Sequence, residues 1–206
     1  MRAGPSKWVV LAAVFATMVV ADQATKYLAV ERLTFAFERH RLETPAERIG
    51  GFYTLRHLEG AAREPFVVFK PVWRMSYAEN PGAAWGLFRS MPGGFRNAFF
   101  LTVSLAAVVF ILWYYRRLRR DQRWMQFALA FVLSGAVGNF IDRVARGYVV
   151  DFVQWHWWNR PELYWPTFNV ADSLIVVGVA MLMIYPGEKR KEATGGKKAS
   201  APDVSA

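Results

Sequence analysis

The sequence predicts a mainly α-helical membrane protein: a bundle of four transmembrane helices carrying a small β-rich unit outside the membrane. Three observations carry this reading. Four long apolar runs recur along the 206 residues, each close to the ~20 residues a bilayer requires once its flanks are included. Clusters of Lys and Arg flank those runs on alternate sides. The mean hydropathy of only +0.12 is low for a chain made of spans alone, so a polar insert must dilute them.

The first run, Trp8 to Ala21, continues in helical pattern to about Ala29, giving a span near 8–29. Arg2 and Lys7 precede it as basic residues precede a signal peptide. No A-x-A site follows; "DQATK" does, and the segment reads as a retained anchor. The stretch 31–79 is the polar insert. Its first part, Glu31 to Arg48, reads as a surface helix ending near Pro45, and "GFYTL", "PFVVF" and "VWRMSY" read as strands of a small sheet. Spans follow at about 97–115 and 124–141, and the last at 170–185. The Trp-rich stretch from Trp155 to Pro166 reads as an interfacial aromatic belt. Residues 1–185 form one integral-membrane domain, and the basic tail 186–206 reads as disordered.

Charge distribution orients the bundle. Arg2 and Lys7, the "RRLRRDQR" link and the lysines after span four all fall on one side of a four-span bundle. That side is cytoplasmic, with both termini on it. The whole outer segment 22–96 carries eleven Lys/Arg but also seven Glu, and long loops obey the rule poorly. The net charge of +10 therefore reports topology. Nucleic-acid binding is excluded, because no basic helix or aromatic RNA-binding signature accompanies the charges.

Absences narrow the chemistry. With no cysteine there is no thiolate nucleophile and no sulfur-ligated metal. His40, His57 and His156 are scattered with no H-E-x-x-H, so no metal site or cofactor is expected. No G-x-S-x-G elbow is present, and no serine is evidently paired with Lys26.

Polar residues collect at the outer ends of the spans. Asp22 and Lys26 lie four apart on one helical face, as an interfacial ion pair or as part of a site. Gly135, Gly138, Asn139 and Asp142 form an i, i+3, i+4, i+7 stripe in span three. Arg143 beside it can bind a carboxylate or phosphate, or anchor at headgroups. "ENPGAAWG" (79–86) has turn chemistry of its own. Asp151 sits between Val150 and Phe152, where a carboxylate is poorly solvated. Asp172 lies in the first turn of span four behind an Asn169 N-cap, where a helix-dipole role would suffice for an isolated acid. Two carboxylates at one depth suggest more: a pair in reach cannot both ionise easily, so one can activate water while the other polarises a carbonyl.

Four blocks in order, "DQATK" (22–26), "ENPGAAWGLF" (79–88), "GAVGNFIDRVARGYVVDFV" (135–153) and "FNVADSLIVVG" (168–178), resemble the signal peptidase II family of lipoprotein signal peptidases. The resemblance covers the spans and their outer ends, about two-thirds of the chain. It implies a bacterial inner-membrane aspartic endopeptidase, multi-pass, with its site at the periplasmic face beside an extracytoplasmic β-cradle. Implied partners are prolipoproteins with a lipobox and a diacylglyceryl cysteine, membrane lipids and globomycin-type inhibitors. Cleavage falls just before the lipidated cysteine. The resemblance implies Asp151 and Asp172 as the catalytic pair, supported by Asp22, Lys26, Asn80, Gly82, Asn139, Arg143, Asn169 and Ala171. The chain departs from the family pattern in a longer segment at Glu31–Lys70 and in Trp85, where phenylalanine is common. Two other classes of function fit the sequence less well. An ion-coupled carrier would need carboxylates across the membrane depth, and these gather at one end. A non-catalytic lipoprotein-binding module would tolerate loss of either aspartate.

Overall fold

The computed structural model describes residues 5–82, 92–158 and 160–185. Trp85 and the tail 186–206 lie outside the described residues. Helix α1 (Lys7–Leu33) starts at Ser6, whose hydroxyl accepts the Val9 N–H at 3.3 Å. Two short helices, α2 (Ala36–Arg39) and α3 (Pro45–Thr54), follow, then strands β1 (Phe66–Phe69) and β2 (Trp73–Asn80). Helices α4 (Gly93–Arg117) and α5 (Arg123–Arg146), strands β3 (Val149–Trp157) and β4 (Arg160–Tyr164), and helix α6 (Val170–Met183) follow among the described residues.

Among the described residues α1, α4 and α5 are long and apolar enough to cross a membrane. At 14 residues, α6 reaches only about 21 Å. It begins where a cap fixes it, at Asn169, as the sequence indicates. Helix α5 runs to Arg146, five residues past the expected end of span three. It stops at Gly147, whose φ of 82° is the left-handed conformation glycine accepts without strain. The chain turns there directly into β3.

Helix α5 packs against α1, α4 and α6 and is the most buried of the four. The other helices expose aliphatic side chains such as Val20, Phe110, Val176 and Met183. Such an apolar outer surface fits a lipid surround. At one end Lys7 Nζ donates to the Arg116 and Leu118 carbonyls, both at 2.7 Å, satisfying acceptors that the end of α4 leaves open. Trp124 of α5 donates to Met181 O of α6 at 2.7 Å at this same end. An apolar cluster of Leu11, Ile111, Tyr115, Leu129 and Leu133 fills the space between.

The sheet lies at the opposite end, in the order β1-β2-β3-β4, antiparallel throughout. Asp151 faces Ala78 across the β2–β3 ladder, and Asn80 faces Val149. A second core of Val30, Phe37, Phe52, Leu58, Tyr77, Val150 and Phe152 joins sheet, insert and α1.

Two local expectations are corrected. Pro45 begins a helix instead of ending one, because Thr44 and Glu47 form a reciprocal capping box and proline is suited to the first helical position. "GFYTL" is consequently the end of α3, with Phe52 buried, and not a strand. The Trp-rich stretch also contains regular structure: its backbone forms the end of β3 and β4, while Trp155, Trp157 and Trp165 remain exposed.

Candidate active site

Strand alternation separates Asp151 from its neighbours. Val150 and Phe152 enter the core, while Asp151 turns toward α5 and α6 and is still only 1% exposed. Its Oδ2 accepts from Asn80 Nδ2 at 3.0 Å, and its Oδ1 from Asn169 Nδ2 at 2.7 Å. Burial, and then the Asp172 charge, push the Asp151 carboxyl up to about 8, against the lowering effect of these two amides.

Asn169 also caps α6. Its side chain accepts from Asp172 N–H at 3.0 Å, and Asp172 Oδ2 accepts from Asn169 N–H at 3.2 Å, a reciprocal capping box. Asp172 Oδ1 accepts from Asn139 Nδ2 at 2.8 Å. Asn169 Nδ2 also reaches Asn139 Oδ1 at 3.2 Å. The carboxylates are therefore joined through two carboxamides, in the order Asp151, Asn169, Asn139, Asp172.

Behind this row lies a buried charge cluster. Lys26 Nζ contacts Asn139 Oδ1 at 3.0 Å, Asp22 at 2.9 Å and Asp142 at 3.1 Å. Arg146 binds the other oxygen of Asp142 at 2.6 Å. Two cations thus balance two carboxylates in surroundings where an unpaired charge would be costly. Asp22 and Lys26 do form an i,i+4 ion pair, and it is wholly buried within this cluster. Asp22 Oδ1 accepts from Ala171 N–H at 2.9 Å, so Ala171 contributes its main chain and its small size.

The small residues of α5 permit these approaches. A Cβ on Gly138 would stand 2.5 Å from Asp22 Oδ2, and one on Gly135 would stand 2.3 Å from Ala171 O. Asn80 Oδ1 accepts from Gly82 N–H at 3.0 Å, and Gly82 O accepts from Arg143 at 3.2 Å. Every residue expected from the sequence lies in this one network. Sequence reasoning missed Gln23, which donates toward Asp22, Gly138 O and Asp142, and it missed Arg146. The i,i+4 spacing of Asp142 and Arg146 was the signal for the latter.

A groove of about 570 Å³ opens beside Asp172. Asn80, Gly82 and Arg143 stand at its polar part, and Trp155, Trp165, Phe168, Ile175, Val176 and Val177 supply its apolar walls. The site can hold a polar, extended group against the carboxylates and an apolar one beside α6.

The family model described as signal peptidase (SPase) II matches residues 14–186. The lipoprotein signal peptidase of Anaeromyxobacter sp. (strain Fw109-5) is 61% identical over 194 residues, covering 94% of this chain and 92% of that protein. The lipoprotein signal peptidase of Symbiobacterium thermophilum is 36% identical, covering 81% of this chain and 87% of its own length. A solved bacterial membrane enzyme, determined by the in meso method at 2.3 Å, superposes with a TM-score of 0.60 at 23% identity, over 94% of each chain. A second, at 1.9 Å, gives 0.63 at 22% identity over 88% of this chain and 94% of that one. By the match of the family model over most of its length, the chain belongs to the signal peptidase II family.

Proposed function

We propose that this protein is a lipoprotein signal peptidase that cleaves diacylglyceryl-modified prolipoproteins just before the lipidated cysteine, using Asp151 and Asp172 to activate one water. The observation that carries the reading is the buried row of Asp151, Asn169, Asn139 and Asp172, whose Asp172 end opens on an apolar groove. Asp151, raised by burial, carries the proton in the resting pair. Asp172, which accepts N–H groups at the head of α6 and lines the groove, takes the part of the base.

In the first step Asp172 takes a proton from water as the oxygen attacks the scissile carbonyl carbon. Asp151 gives its proton to the carbonyl oxygen, so no free oxyanion accumulates in a poorly solvated site. Collapse of the tetrahedral adduct returns a proton from its hydroxyl to Asp151 and delivers the proton on Asp172 to the departing cysteine nitrogen. Arg143, Asn80 and Gly82 position substrate main chain, and the acyl chains lie along Ile175, Val176 and Val177 toward lipid.

The topology that fits has four crossings, with α6 as the short fourth. The end holding Lys7, Arg116, Arg117, Arg123 and the end of α6 is cytoplasmic, together with both termini. The sheet and the site then face the periplasm of a bacterial inner membrane. Globomycin-type inhibitors are the expected ligands of the same groove.

Cleavage assays in detergent test the substrate class. Purified protein should cut a prolipoprotein bearing diacylglyceryl-cysteine, leaving that cysteine as the new N-terminus by mass spectrometry, and should leave the unlipidated form intact. Equal cleavage of both forms would remove the lipid from the reading.

A further inference from the structure

The insert packs its main chain against the site from behind. The Phe52 carbonyl at α3 accepts a hydrogen bond from Arg146 Nη1. The guanidinium, 3% exposed, lies 4.1 Å from the Phe52 ring centroid. The other arm of the same fork donates to Asp142 Oδ1 at 2.6 Å, and Asp142 Oδ2 accepts from Val150 N–H at 3.1 Å. Val150 directly precedes Asp151.

A second arm of the insert reaches the neighbouring strand. Leu58 N–H donates to Glu79 Oε1, which also accepts from Tyr77 Oη at 3.2 Å. Glu79 faces Val150 across the ladder and directly precedes Asn80, the donor to Asp151 Oδ2. Both arms therefore end one residue from a group that binds or carries the Asp151 carboxylate. Tyr53 Oη stands 3.4 Å from Gln23 Oε1, and Arg56 donates to Ala145 O at 3.1 Å, so the insert is also tied to α1 and to the end of α5.

We propose that the inserted segment around α3 is a clamp that fixes the Asp151 strand, and that Arg146 is its positioning residue. This rests on the reading of Asp151 as a catalytic group. Arg146 touches neither water nor substrate in this scheme. Its planar fork holds Phe52 O and Asp142 at once, which the single ammonium of a lysine cannot do with the same geometry. Without the fork, Asp142 keeps Lys26 but its grip on Val150 N–H loosens, and Asp151 samples positions outside attack geometry. A displacement of this kind lowers turnover while leaving the groove that binds substrate intact.

The test is steady-state cleavage of lipidated prolipoprotein by wild type, Arg146→Lys, Arg146→Met and Asp151→Asn, each normalised to the folded, monodisperse fraction. The clamp predicts kcat in the order wild type, Arg146→Lys, Arg146→Met, with the last about ten- to a hundredfold down and KM within about twofold in both. Hydrogen exchange at the Val150 amide should quicken in Arg146→Lys. Wild-type kcat and unchanged exchange in Arg146→Lys overturn the clamp, and they do so even if Arg146→Met fails to fold. A raised KM with unchanged kcat also overturns it, by placing Arg146 in substrate binding. An active Asp151→Asn would instead remove the catalytic reading on which the clamp rests.

Discussion

Asn169 holds both aspartates: its side-chain amide donates to Asp151 Oδ1 at 2.7 Å while its main-chain N–H donates to Asp172 Oδ2 at 3.2 Å. One residue thus caps α6 and sets the spacing of the carboxylates, and the two roles can be separated. Serine caps a helix about as well as asparagine but has no amide to offer Asp151. Asn169→Ser should melt within a few degrees of wild type yet lose at least about tenfold in kcat, on the scale of one misplaced catalytic group. Asn169→Ala should lose activity and about 1 kcal/mol of stability as well. Wild-type turnover in the serine variant would mean that the amide bridge has no part in catalysis.

Gly138 tests how tightly the charge cluster is packed. An alanine Cβ there meets Asp22 Oδ2 at 2.5 Å and Asp22 Cγ at 3.0 Å. Asp22 must move, and with it the contacts to Lys26 and Ala171 N–H. Gly138→Ala should destabilise by about 1–3 kcal/mol and reduce cleavage, whereas Gly60→Ala, with nothing within 4 Å, should do neither. Thermal unfolding of the two variants in one detergent checks this. Equal melting temperatures would show that α1 and α5 are less closely apposed.

Much of the site was legible in the sequence because its side chains are polar where polarity is expensive. Asp22, Lys26, Asn139, Asp151 and Asp172 stand out against apolar neighbours, and ordered motifs group them. The i,i+3,i+4,i+7 stripe in α5 is a close-packing face, with Gly138 against Asp22 and Ala171 and Gly135 against Ala171 and Ile175. The insert was the least legible part. "GFYTL" has the β-branched and aromatic content of a strand, and the capping box at Thr44 and Glu47 overrode it. Arg146 offered only its i,i+4 spacing to Asp142, since its other partner, Phe52 O, is a main-chain atom on a segment 94 residues away.

The raised Asp151 carboxyl makes a pH prediction with a definite sign. Its folded value lies at about 8 against an ordinary 3.8. Between those values the folded protein retains a proton that the unfolded chain has released, so its contribution to stability declines as pH rises through that window. Asp151→Asn removes the titrating group. The melting temperature of wild type relative to Asp151→Asn should therefore fall between about pH 5 and pH 8. A constant difference across that range would show that Asp151 titrates near the ordinary carboxylate value.

The most direct measurement is cleavage of a diacylglyceryl-modified prolipoprotein by wild type, Asp151→Asn and Asp172→Asn, with binding of globomycin measured on the same preparations. Asparagine preserves size and most hydrogen bonding but can neither take a proton from water nor give one to the carbonyl oxygen. Both variants should bind the inhibitor and turn over at least about a thousandfold more slowly than wild type, the scale on which general acid–base groups contribute. Cleavage by either variant at near wild-type rate would contradict the two-aspartate account.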